Sequence, residues 1–303
     1  MTVNEMFTVV NEPHWKVLVP LYFFLISVSA GSMMAASLST VLGASAYRNF
    51  DRPAAFVGLV ALVLAPVMLI LELAQPARFW FMINPANFNV TSPMSWGGLF
   101  LVLYGIAVLL FARRYFGSGY PDGKAAGEAA AASEKAVSKN LAIVLFLLAL
   151  VLSAYPGFEL GVVKGKMLWR SELLPAYFIA TTFLAGLGVM GLFARGAAPD
   201  TLRGLKNLMV VTILASLVFI VIRILLLGSA GLEGSIAIKA LWQSPAFYLG
   251  ELVVGLLAPL GLLISVDLKK NPASITIASV LVLVGVFFMR YALVFTGMAA
   301  VLP

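Results

Sequence analysis

Tyr155 and Glu159 stand four residues apart in the stretch LSAYPGFELG, at the end of a long apolar run. At that spacing a phenol and a carboxyl share one face of a helix. Together they suit a ligand that takes and gives protons, with the carboxyl as acid or base and the phenol as a hydrogen-bond partner. Between them, Pro156 lacks a backbone donor and Gly157 relaxes the backbone. A kink is therefore expected that turns both side chains inward and frees carbonyls for a ligand. Glu72 closes another apolar run, and Arg78 follows it, placed to pair with either carboxylate. Arg78 belongs to QPARFWFMINPANFNVTSPMSWGG, a loop rich in aromatics, amides and hydroxyls, with three prolines and no glycine before Gly97. That composition predicts a structured cap rather than a floppy connection. A quinol headgroup fits such a site: its two oxygens need hydrogen-bond partners, and an acid or base must move its protons. The simpler reading is that Glu159, close to the end of its run, only reaches interfacial water.

Three more charged residues, Arg223, Glu251 and Arg290, lie inside apolar runs. A charge at membrane depth costs at least about 2.5–3.5 kcal/mol on insertion scales, so each needs a reason. One ion pair plus a spare arginine is a sufficient structural account. A series of such groups is also a candidate proton path.

The elements that must position these residues follow from the composition. The protein has 303 residues, 62% hydrophobic and 11% charged, with a mean hydropathy of +1.02. Apolar runs near 17–45, 53–74, 95–115, 140–162, 173–195, 205–228, 246–267 and 274–299 each hold the roughly 20 residues a helix needs to cross a bilayer. They lack the alternation of barrel strands. The expected fold is an all-α integral membrane protein of eight transmembrane helices. The start, MTVNEMFTVVNEPHWK, has no basic region ahead of the first span, so no removable signal peptide is expected. With eight spans the termini share a side that carries six Lys and Arg, Lys16, Arg78, Lys164, Lys166, Arg170 and Lys239, against twelve opposite. The positive-inside rule then places both termini outside the cytoplasm. This bias accounts for most of the net charge of +7, and no nucleic-acid partner is inferred from it.

Two absences bear on redox chemistry. Without cysteine the protein cannot hold an iron–sulfur cluster by thiolates. Its single histidine, His14, precedes the first span, which excludes a haem held between paired histidines in the membrane. Redox centres, if they are involved, belong to a partner.

The one long polar connection, residues 113–139, reads as a mobile linker with a short surface helix. A weak internal repeat matches Pro20, Tyr22 and Gly31 with Pro175, Tyr177 and Gly186 at identical spacing, and faintly Tyr155–Gly161 with Tyr291–Gly297. Four spans between copies means a parallel repeat. The expectation is two four-helix bundles, residues 1–163 with the ligand site and residues 164–303. Ala30, Gly31, Ala185, Gly186 and Gly188 are expected to let helices approach closely.

Taken in order, PLYFFLISVSAG, LELAQPARFW, TSPMSWGG, AYPGFELG and MRYALVFTG resemble the NrfD-like membrane subunits of polysulfide reductase and related respiratory complexes. The resemblance covers nearly the whole sequence. It implies a haem-free quinone-reactive subunit, using menaquinone or ubiquinone, in the prokaryotic cytoplasmic membrane. It further implies an extracytoplasmic ferredoxin-like iron–sulfur partner, with a molybdopterin or cytochrome catalytic subunit beyond. By the same resemblance Glu72 takes the place of an acidic or histidine position, and Tyr155 that of a quinone-contacting tyrosine. Some relatives add a histidine and an asparagine from the first helix. Here that region reads VPLYFF, which leaves Tyr22 as the substitute. Glu159 or Arg78 would adjust the acidity of the site. Two alternatives stand beside this reading: a secondary transporter or channel, and a passive anchor without a quinone site.

Overall fold

The protein is described from a computed structural model over residues 15–73, 75–113, 115, 139–163, 165–194, 196–265, 271 and 273–299. Eight helices among these residues are long and apolar enough to cross a membrane. They are α1 (Leu18–Val41), α2 (Asp51–Glu72), α3 (Pro93–Ala112), α4 (Lys139–Gly161), α5 (Leu174–Leu192), α6 (Pro199–Ser229), α7 (Ala246–Ser265) and α8 (Ala273–Ala299). All eight expected spans are present, with ends shifted by a few residues. Proline sets several starts: α3, α5 and α6 each carry one in the first turn, where the missing N–H has no helical partner anyway. Hydroxyls inside the spans are satisfied locally, as where Ser27 and Ser32 donate to the carbonyls of Phe23 and Val28 at 2.7 Å. The predicted linker and His14 lie outside the described residues.

Helix α1 is central and packs on α2, α4, α5 and α8, while α5 also meets α4, α6 and α8. In α1 78% of the span is buried and in α5 72%, against 28% in α3, so lipid faces the peripheral helices. Helices α1 and α5 cross at Gly31 and Gly186. A Cβ on Gly31 would lie 2.0 Å from the carbonyl oxygen of Thr182 and 2.7 Å from the nitrogen of Gly186, and one on Gly186 would lie 2.0 Å from the Gly31 oxygen. Backbone meets backbone there, which only glycine allows. Helix α7 winds as a π-helix over Ala246–Leu257 before turning α-helical. Between α1 and α3, Ser29 and Tyr104 share a buried hydrogen bond of 2.9 Å.

Helix α4 runs through Pro156 to Gly161 without interruption, with the proline inside the helix. Gly157 serves a close approach, since a Cβ there would sit 2.6 Å from the backbone of Pro175 at the start of α5. The loop after α2 folds into short helical turns at Pro76–Arg78, Trp80–Ile83 and Pro85–Asn87. A separate helix, Gly231–Gln243, occupies the corresponding place after α6. The end of the bundle that bears the short turns is the cap end.

Candidate proton-exchange cavity

Near the cap end, α1, α2, α3 and α4 enclose a cavity of about 700 Å³ counting its open mouth. Thirteen residues line it, and only three bring polar side chains: Tyr22, Tyr155 and Glu159. Because α4 is continuous, Tyr155 and Glu159 keep the one-turn spacing that stacks them on a single face, and both line the cavity. Tyr155 is 9% exposed, whereas Glu159 is half-buried at the cap end. Tyr22, contributed by α1 and 5% exposed, lines the same cavity. The rest of the wall is apolar, from Pro66, Leu69 and Ile70 on α2 to Leu101 on α3, with Phe79 from the cap. Gly97 brings α3 against the Tyr155 ring: a Cβ on it would lie 2.2 Å from Cζ of Tyr155.

Glu72 is not on that wall, although its neighbours Leu69, Ile70 and Leu73 are. Its Oε1 accepts the backbone N–H of Lys16 at 2.6 Å, and its Oε2 is buried without a partner in the structure. The carboxylate thus clasps the segment that leads into α1. Next to it Trp15 stacks on Trp169 at 5.2 Å, and Trp169 donates its indole N–H to the carbonyl of Leu293 at 2.8 Å. Arg78 is exposed, and it is Phe79 beside it that reaches the cavity. The Phe79 ring packs 4.3 Å from that of Trp80, itself 66% exposed. Of the five residues expected at the site, the structure brings Tyr22, Tyr155 and Glu159 together and leaves Glu72 and Arg78 apart from them.

Arg223, Glu251 and Arg290 are all buried, but the expected ion pair is not how they are held. Glu251 accepts the hydroxyl hydrogen of Tyr177. Arg290 donates to Ser27 at 2.9 Å, Thr181 at 2.8 Å and Thr182 at 3.2 Å, and its guanidinium lies 4.1 Å from the centre of the Phe178 ring. Arg223 donates to the carbonyl of Leu168 at 3.2 Å and keeps a buried, unpartnered Nε. The groups that meet the two arginines directly are hydroxyls, a ring face and a backbone carbonyl.

Gly97 and Gly98 belong to the site although TSPMSWGG, as a pattern, assigns them no part in it. The signal that could have found them is a third repeat: Ser92-Pro93 with Gly98 recurs as Ser244-Pro245 with Gly250, at the same spacing, where α3 and α7 begin.

Residues 2–302 match the family described as Polysulphide reductase, NrfD. The sequence is 26% identical to the protein NrfD homolog of Haemophilus influenzae, over 95% of both proteins. It is 27% identical to a polysulfide reductase polypeptide of Wolinella succinogenes, over 94% of this protein and 93% of that one. A shorter match, 25% identical over 59% of this protein and 41% of the other, joins it to the Hdr-like menaquinol oxidoreductase integral membrane subunit of Archaeoglobus fulgidus. With eight apolar helices and a family match over nearly its whole length, this chain is a multi-pass integral membrane protein of the NrfD polysulphide reductase family.

Proposed function

We propose that this protein is the quinol-handling membrane subunit of a respiratory oxidoreductase complex, and that the cavity holding Tyr22, Tyr155 and Glu159 receives the quinone headgroup. The observation that carries this is the wall itself: an apolar chamber whose polar side chains are two phenols and one carboxyl, gathered near the cap end. A headgroup with two oxygens on an apolar ring matches that distribution. In the oxidising direction Glu159 accepts a proton from the ligand and, being half-buried, hands it to water at the cap end. Tyr155, one helical turn from Glu159, lines the same cavity and can donate its hydroxyl hydrogen to a ligand oxygen, and Tyr22 lines it from α1. Two electrons leave with the two protons. Their acceptor is an extracytoplasmic ferredoxin-like iron–sulfur subunit seated over the cap, with a molybdopterin or cytochrome catalytic subunit beyond it. The same site serves the reverse direction, and menaquinone or ubiquinone fits its chemistry.

Both termini and the cap end then lie outside the cytoplasm, as the distribution of Lys and Arg suggests. The protein divides into residues 1–163, which hold the cavity, and residues 164–303. Glu72 holds the segment that leads into α1 and Arg78 stands exposed on the cap, while Arg223 and Glu251 bond within the second half and Arg290 ties that half to α1 through Ser27. A transporter or channel would need a path between the halves, a place taken by the Gly31–Gly186 crossing and the Arg290 contacts.

The test is titration of a fluorescent quinol analogue into purified protein. Saturable binding at one site per molecule is expected, weakened about tenfold (roughly 1.4 kcal/mol) by Tyr155→Phe or Glu159→Gln. Binding untouched by both changes would move the site elsewhere, and no binding by folded protein would leave a passive anchor.

A further inference from the structure

The Tyr155 ring borders two spaces. Tyr155 lines the cavity, and it also lines a separate groove between α3, α4 and α5, of about 1,140 Å³ counting its open side. Trp96, Phe100, Ala154, Phe158, Ala176 and Ile179 form much of its wall, and Glu172 at the cap end is its one charged side chain. The groove opens toward lipid, for Phe158 is 60% exposed and Trp96 38%. Helix α3 divides the two spaces, with Pro93, Trp96 and Phe100 on the groove side and Met94, Gly97, Gly98 and Leu101 on the cavity side. Where Tyr155 meets α3 the partition is one ring against one glycine, because the ring occupies the volume that a Cβ on Gly97 would need.

We infer that this groove holds the isoprenoid tail of the quinol whose headgroup lies in the cavity, with the Tyr155 ring as the leaf that swings to let the molecule pass. The inference rests on the quinol reading above. A quinol is a polar ring on a long apolar tail, so its site must join a small polar chamber to an apolar lane reaching lipid. The groove is such a lane, Tyr155 is the residue that lines both it and the cavity, and the small side chains of Ala154 and Ala176 keep it wide. Swinging the ring also moves the phenol away from Glu159, one turn along the same face of α4, and opens that carboxyl to the arriving headgroup. Recognition and passage are then functions of one side chain.

The experiment fills the groove with Ala154→Phe and Ala176→Phe, separately and together, and compares two analogues in lipid nanodiscs: a tailless quinol headgroup and the same headgroup with a long isoprenoid tail. Affinity for the tailed analogue should fall about tenfold or more while that for the tailless one stays within about twofold. Thermal melting identifies any variant that is not folded, and Ala176→Leu, a smaller filling, then takes its place with a smaller loss of the same selectivity. Equal losses for both analogues would show that the substitutions act on the headgroup chamber, and would overturn the inference. So would no loss for either, which would leave the groove to lipid acyl chains. A selective loss of the tailed analogue in Val102→Phe, on the cavity's own mouth between α2 and α3, would route the tail there instead. If the tailless analogue does not bind wild-type protein, the quinol reading itself fails, independently of the groove.

Discussion

Tyr22 and Tyr177 stand at matching places near the starts of α1 and α5, yet one faces an open cavity and the other is locked in a packed cluster. The difference begins on the helix opposite. In register from Ser92 and Ser244, Gly97 and Leu99 of α3 correspond to Leu249 and Glu251 of α7. In the first half the glycine admits the Tyr155 ring and leaves a chamber beside it. In the second half the position of Leu99 has become a glutamate, which takes the hydroxyl of Tyr177 directly. There Phe288 fills the space over Gly250, so closely that a Cβ would lie 2.4 Å from its Cγ. The connections differ too: short aromatic turns follow α2, and the helix Gly231–Gln243 follows α6. One helical frame can thus hold a binding chamber or a structural plug, according to a few side chains at the mouth of the third helix.

The largest effect should come from the seam between the halves. Gly31→Leu or Gly186→Leu puts a side chain where backbone already lies 2.0 Å from the new Cβ, and no folded, monodisperse protein is expected on size-exclusion chromatography. Next is Arg290→Ala, which removes charge-assisted bonds to Ser27, Thr181 and Thr182 worth ~1.5–3 kcal/mol each at most. It should lower the melting temperature markedly while leaving headgroup affinity in the surviving folded fraction nearly unchanged. The sharpest contrast is between the two tyrosines. Tyr177→Phe should reduce stability by about 1–3 kcal/mol, since it strands a buried carboxylate, and spare quinol-analogue binding. Tyr22→Phe should spare stability and weaken binding several-fold. If the two exchange phenotypes, the comparison is inverted and the ligand lies in the second half. Gly97→Ala should behave as a milder Tyr155 substitution, because the ring must yield to a Cβ 2.2 Å away. Glu72→Gln is expected to be smallest, about 1 kcal/mol of stability from a weakened bond to the Lys16 N–H, with binding intact.

The eight spans are legible in the sequence because uninterrupted apolar length is a strong signal, and because proline at the starts of α3, α5 and α6 marks boundaries clearly. Tyr155 and Glu159 can be paired from their spacing, since one turn of helix fixes their relation without tertiary knowledge. Pro156 does not end the helix: α4 continues through it to Gly161, and Gly157 beside it meets the backbone of Pro175 at the start of α5. The partners of Arg290 are not legible, because Ser27 and Thr181 look like ordinary hydroxyls until α1, α5 and α8 are brought together. Nor is the bond of Glu72, whose acceptor lies 56 residues from its donor and meets a backbone group that no side-chain pattern encodes.

A clasp between a carboxylate and a main-chain N–H, such as Glu72 makes with position 16, is specified at one end only. Position 16 can change charge, size or polarity and the bond survives, because every residue but one offers the same donor. Proline alone removes it. Lys16→Pro should therefore reproduce Glu72→Gln, while Lys16→Ala, Lys16→Glu and Lys16→Leu should leave the strap in place. Sequence drift at this corner of the molecule is lopsided, free at the strap and constrained at the acid that grips it.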